Sequence, residues 1–178
     1  MSEPLSNSLP LLQPAPPWRR LAAAVYDGLL LIALWMMAAL LDVLVRDLLG
    51  LARHPSLFQV YLFSVGLLFF SAFWVHGGQT LGLRAWRLRV QRLDGSALRW
   101  PVAAVRYAVM LLGWGLALAP LLLQAPRLAA LPAAGTLSAV GLSATLASLL
   151  LIALDPRRRA PCDWLSGTEL VLLPPASR

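Results

Sequence analysis

The stretch Leu21–Leu41, LAAAVYDGLLLIALWMMAALL, decides the fold. Its single charge is Asp27. An α-helix rises 1.5 Å per residue, so a run of about 20 apolar residues crosses the roughly 30 Å hydrocarbon core of a bilayer. Trp18, Arg19 and Arg20 precede the run, an amphipathic ring and two cations of the kind that anchor a helix at the membrane interface. Three further runs of similar length follow, at about Leu57–Val75, Val102–Leu123 and Ala133–Leu154. The breaker His54-Pro55-Ser56 opens the second and Gly77-Gly78 closes it. Trp100-Pro101 opens the third, which ends near Pro120 and Pro126. Four spans are expected, with three as the alternative. Gly135, Ser138, Gly141, Ser143, Thr145 and Ser148 make the last run rich in small residues, so it is expected to pack inside the bundle.

Composition agrees. Of 178 residues, 59% are apolar and 13% charged, outside the range of a soluble domain. Mean hydropathy is +0.71. The net charge of +7 would raise nucleic acid as a partner, but the placement of the arginines reads as topology, and no nucleic-acid partner is expected. Arg19 and Arg20 precede the first run, Arg84, Arg87, Arg89, Arg92 and Arg99 lie between the second and third, and Arg157–Arg159 follow the fourth. Only Arg46, Arg53 and Arg127 fall on the other side. The positive-inside rule then puts both termini in the cytoplasm, as in a multi-pass protein of a bacterial inner membrane. The cytoplasmic arginines are a topology signal, with contact to anionic lipid headgroups as their alternative reading.

Residues 1–17, rich in Pro, Ser and Leu, read as a disordered cytoplasmic tail and not a signal peptide; 18–172 form the membrane domain and 173–178 a C-terminal tail. The segment Trp86–Leu93 alternates apolar and polar with period two, and Asp94-Gly95 follows as a turn signal, which predicts a short cytoplasmic β-hairpin. Thr168–Leu172 reads as a strand that adds to it. An amphipathic interfacial helix is the rival reading. The expected fold is therefore an all-α integral membrane protein with four transmembrane helices and a small cytoplasmic β-hairpin.

Several chemistries have no support in these residues. All 15 basic residues are Arg, so no lysine is available as a Schiff base or general base. One Cys and two His are too few for a structural zinc site, no serine sits in a nucleophile elbow, and Gly77–Gly82 lacks the lysine of a phosphate-binding P-loop. No enzymatic activity, cofactor or metal is expected. The Gly77–Gly82 turn reads as a tight helix exit, with Gln79 and Thr80 satisfying helix-end groups. Asp27 is an ionisable residue inside the first span, so it is either a pathway residue or a packing residue paired with Arg20 or with Arg106, in the first turn of the third. Arg20 lies seven residues earlier, two turns up nearly the same helix face.

These elements resemble the RDD family of small bacterial membrane proteins, named for one Arg and two Asp, over about Trp18–Leu172. Trp18–Asp27 is similar to the family's opening, with Arg20 and Asp27 as the first two signature residues. Gly78-Gln79-Thr80-Leu81-Gly82, then Arg84, Leu88-Arg89-Val90, Asp94-Gly95 and Arg106, are similar to its central motif, with Leu83 where the family usually has Lys. Cys162–Thr168 is similar to its closing motif, with Asp163 kept but without the usual preceding His. The resemblance implies transport, including cation and proton exchange, with Asp27 as the protonatable or cation-binding group, and four spans imply a homo-oligomer or transport subunit. It also places Asp163 where Arg20, Arg84 or Arg106 can pair with it beneath the bundle. The competing class is a noncatalytic membrane partner or assembly protein whose Arg/Asp cluster is structural and whose hairpin offers a binding edge.

Overall fold

The computed structural model describes residues 13–125, 128 and 131–174. The expected tail over 1–12, Pro126 and Arg127 of the third connection and the C-terminal 175–178 lie outside the described residues.

Among the described residues, four helices are long and apolar enough to cross a membrane: α1 (Pro17–Leu49), α2 (Pro55–His76), α4 (Trp100–Leu122) and α5 (Ala134–Leu154). Two short helices, α3 (Leu81–Ala85) and α6 (Pro161–Ser166), follow α2 and α5. Proline stands at the first turn of α1, α2, α4 and α6. There its missing N–H costs nothing and its fixed φ suits the helix, so these starts are written in the sequence. At 33 residues α1 is about 50 Å long, well beyond a bilayer core. It ends at Gly50 in the left-handed conformation (φ 63°), with Arg46 paired to Asp42 at 2.9 Å and donating to Ala52 O at 2.6 Å.

Tight contacts between the long helices depend on glycine. A Cβ on Gly66 of α2 would stand 2.2 Å from the Tyr107 hydroxyl of α4. One on Gly141 of α5 would stand 2.4 Å from Leu116 O of α4. The expectation that the last run packs inside the bundle is corrected. Gly141 is the one buried residue of α5, which packs chiefly on α4 and leaves Leu142, Leu146, Leu149 and Leu150 exposed. Its small residues serve a single seam: Thr145 and Ser148 return their hydroxyls to Gly141 O and Ala144 O, within the helix itself.

The hairpin is also corrected. Strand β2 (Leu88–Arg92) is followed by a tight turn, with Gly95 at φ 79° and Gly95 N–H donating to Arg92 O, but the returning chain forms no strand. Only four residues separate Gly95 from Trp100, where α4 begins, and Leu98 is drawn into the core. The antiparallel partner of β2 is instead β3 (Thr168–Leu172), in register Arg92↔Thr168 to Leu88↔Leu172. A third strand, β1 (Gln13–Pro14), pairs with the other side of β3, so the sheet order is β1-β3-β2. Residues 13–17, read as tail, are therefore ordered: Ala15 is fully buried and its N–H donates to Leu170 O.

The sheet joins chain segments that precede α1, follow α2 and follow α5, so all three meet at one end of the helices. The core sits at that end. Ala23, Phe70, Trp74, Leu83, Leu88, Val90, Ala103, Tyr107 and Leu170 pack there, while the flanks of the long helices are exposed and apolar.

Candidate functional site

Beneath the helices, Asp163 in the first turn of α6 collects donors from three parts of the chain. Its Oδ2 accepts from Arg20 Nη1 at 2.8 Å and from the Ala160 amide at 2.8 Å. Its Oδ1 accepts from Arg106 Nη1. The same nitrogen donates to Thr168 Oγ1 at 2.6 Å, and the Thr168 and Ser166 hydroxyls are 2.8 Å apart. The Arg106 guanidinium lies over the Trp74 ring, 5.2 Å from its centroid. Asp163 is 1% exposed and Arg106 6%, so this is a buried ionic network with two cations on one anion.

Asp27 is held differently. Its Oδ2 accepts from Thr80 Oγ1 at 2.5 Å and its Oδ1 from the Gly82 amide at 2.9 Å. The packing expectation for Asp27 named the wrong partners, since neither Arg20 nor Arg106 reaches it and both turn to Asp163. The reason is geometric: α3 lies against α1 and delivers a hydroxyl and an amide within hydrogen-bond range of the carboxylate. Thr80 also caps α3, accepting from the Leu83 amide at 3.3 Å. Gly82 is required by this approach, because a Cβ there would stand 2.5 Å from Ala23 O and 2.7 Å from Asp27 Oδ1.

The other residues of the central motif position this contact. Gly78 has φ 67°, a conformation that favours glycine, and a Cβ would meet Val90 O at 2.7 Å and the Arg89 side chain at 3.0 Å. The tight helix exit expected there is present. Gln79 Nε2 donates to Leu88 O at 2.7 Å, Val90 N–H to Gly78 O at 2.7 Å, and Arg92 N–H to Ser96 O at 3.0 Å. Together these occupy the outer edge of β2, so the open binding edge expected of the hairpin is not free on that side. Leu83 is buried in the core, whereas Arg84 is exposed and does not join Asp163.

Sequence reading missed Thr168 and the Asp155–Arg159 pair. Arg159 donates to both oxygens of Asp155 at 3.0 Å and stacks on Trp164, 3.9 Å from the ring centroid, which pins the exit of α5 to α6. The spacing of four between Asp155 and Arg159 was a usable signal. Nothing local marks Thr168, whose partner is 62 residues away.

Burial opposes ionisation of Asp163, yet the Arg106 and Arg20 guanidiniums and the Ala160 amide outweigh it and hold its carboxyl below the usual carboxylate range. The Arg159 side chain brings Asp155 down to about 2. Cys162, beside them, is pushed up by burial. Groups whose folded pKa is depressed contribute stability that is complete above the unfolded value, 3.8, and is lost as pH falls through the folded one. Thermal midpoints in detergent are therefore expected to be insensitive to these carboxylates from pH 7 to 5 and to fall below pH 4. A decline that begins between pH 7 and 5 and disappears in Asp163→Asn would contradict this assignment.

A family model described as the RDD family matches residues 14–167, most of the chain. No curated protein and no solved structure matches it. The matched region spans Arg20, Asp27, the Gly78–Gly82 turn, Arg106 and Asp163, and of the three signature residues Arg20 and Asp163 are in contact while Asp27 stands apart.

Proposed function

The chain belongs to the RDD family, and from that membership we propose a multi-pass protein of the bacterial inner membrane that works as a noncatalytic membrane partner or assembly protein. The four apolar helices support membrane insertion, and the arginine distribution supports cytoplasmic termini and a cytoplasmic sheet. The observation that carries the reading is the state of Asp27. Both its oxygens are engaged by hydrogen bonds inside the fold and the residue is 7% exposed, which is how a packing residue is held. In this reading Asp27 fastens α3 to α1, and the Arg20–Asp163–Arg106 network fastens α1, α4 and α6. The exposed apolar faces, α5 above all, then meet lipid, a second copy or another membrane protein.

One observation favours the second reading, a small transporter or transport subunit coupled to cations or protons. Thr80, which donates to Asp27, also lines a pocket of about 390 Å³ together with His76, Gln79 and Arg84. A pathway through the protein would use that hydroxyl as the gate to the carboxylate.

Proteoliposomes decide between them. The purified protein is expected to give no cation-driven proton flux above protein-free vesicles, and Asp27→Asn to lower the thermal midpoint, since an amide has one acceptor oxygen where the carboxylate has two and leaves either the Thr80 O–H or the Gly82 N–H without its acceptor. Flux in the parent that vanishes in a normally folded Asp27→Asn protein would establish the transport reading instead.

A further inference from the structure

The pocket where α2 gives way to α3 is lined by residues of two kinds. Ala72, Phe73 and Leu81 are apolar, and Ala72 lies one turn from the exposed Leu68 of α2; His76, Gln79 and Arg84 are polar. Its volume of about 390 Å³ is in the range of pockets that hold small ligands. Arg84 is exposed and within ion-pair distance of no carboxylate among the described residues. Arg89, equally exposed and equally without an ion pair there, crosses the face of Gly78 with its Nε 3.0 Å from where a Cβ would stand, beside Gly77 on the pocket rim. Gln79 commits its Nε2 to Leu88 O, which leaves Oε1 open as an acceptor. His76 directs Nδ1 to Ala72 O at 2.9 Å, which leaves Nε2 open.

We propose that this pocket is a binding site for the headgroup of an anionic phospholipid. The guanidinium of Arg84, reinforced by Arg89, takes the phosphate through charge-assisted hydrogen bonds. Gln79 Oε1 accepts from a headgroup hydroxyl, and the glycerol and first chain carbons lie along Ala72 and Phe73 toward the flank of α2. Charge complementarity and the apolar lining residues together select a lipid over a free phosphate ion, which would leave those residues uncovered. The site requires α2 to span the bilayer, as proposed above, but not either functional reading.

The test uses the full chain in nanodiscs, with insertion checked first by co-migration with the discs, so that failure of the membrane placement is read separately from failure of the site. Native mass spectrometry then compares retention of phosphatidylglycerol and phosphatidylcholine. Preferential retention of phosphatidylglycerol is expected, reduced about fivefold for each of Arg84→Gln and Arg89→Gln, in keeping with the contribution of a basic residue at an anionic surface. The charge-matched control Arg158→Gln should keep the preference. Equal retention of the two lipids, an equal loss in the control, or competition by soluble glycerol phosphate at the same concentration as the lipid would each overturn the proposal. As a readout independent of variants that fail to fold, a photoactivatable phosphatidylglycerol should label the parent within residues 72–84, and labelling confined to other segments would sink the site.

Discussion

Asp163→Ala is expected to destabilise the protein by about 3–5 kcal/mol, the cost typical of breaking a buried ionic network by removing one partner. The carboxylate receives Arg20, Arg106 and the Ala160 amide, and two of its donors are cations from different helices. Without it, two guanidiniums of like charge remain beneath the bundle with one acceptor, Thr168, between them. Arg20 Nε and Nη2 and Arg106 Nε already lack partners, so Arg20 has no second acceptor to turn to and Arg106 has only Thr168. Asp163→Asn keeps the volume and one acceptor oxygen and should cost less. Equilibrium unfolding in detergent measures both, and a loss below about 1 kcal/mol for the alanine variant would mean that water reaches the network and screens it. Replacing Arg106 and Asp163 together by apolar residues of similar volume should recover part of the loss, because desolvation of the ions then disappears from the balance.

Asp27→Ala is expected to have the next largest effect. It leaves the Thr80 hydroxyl and the Gly82 amide buried with no carboxylate to accept from them, at about 1–3 kcal/mol for each unsatisfied group. It also frees α3 from α1. Gly82→Ala should be destabilising by itself, by about 1–3 kcal/mol for an overpacked contact, since the new methyl would meet backbone at Ala23 O and the Asp27 carboxylate. Because both changes act on one contact, the double variant Asp27→Ala/Gly82→Ala should be less destabilised than the sum of the single variants. Additive losses would show that Gly82 is held by Ala23 alone. Hydrogen exchange at Gly82 and Leu83 gives a second readout, with faster exchange expected in Asp27→Ala.

The sequence by itself determined the elements that local physics controls. Run length and apolarity marked four membrane-length helices, because a helix satisfies its own backbone and needs only an apolar surface to lie in lipid. Pro55 and Pro101 marked where α2 and α4 begin, and Gly77-Gly78 marked the turn after α2. Period-two alternation marked β2, and the family motifs named Arg20, Asp27, Arg106 and Asp163 as residues to watch.

Only the tertiary structure decided who pairs with whom. Arg20 and Asp27 share a helix face, which made them look like partners, but a salt bridge forms where side chains from several elements converge, and Arg20 meets Asp163 across 143 residues of chain. The strand after α2 carried a hairpin turn, yet its partner is β3, because backbone hydrogen bonding and burial are settled by what lies beside a strand in space. The small residues of α5 signalled close packing without saying on how many sides, since a stripe of small side chains permits an approach but does not specify the helix that makes it. Spacing along the chain fixes which residues lie on one face of one element, and contacts between elements depend on the path of the whole chain.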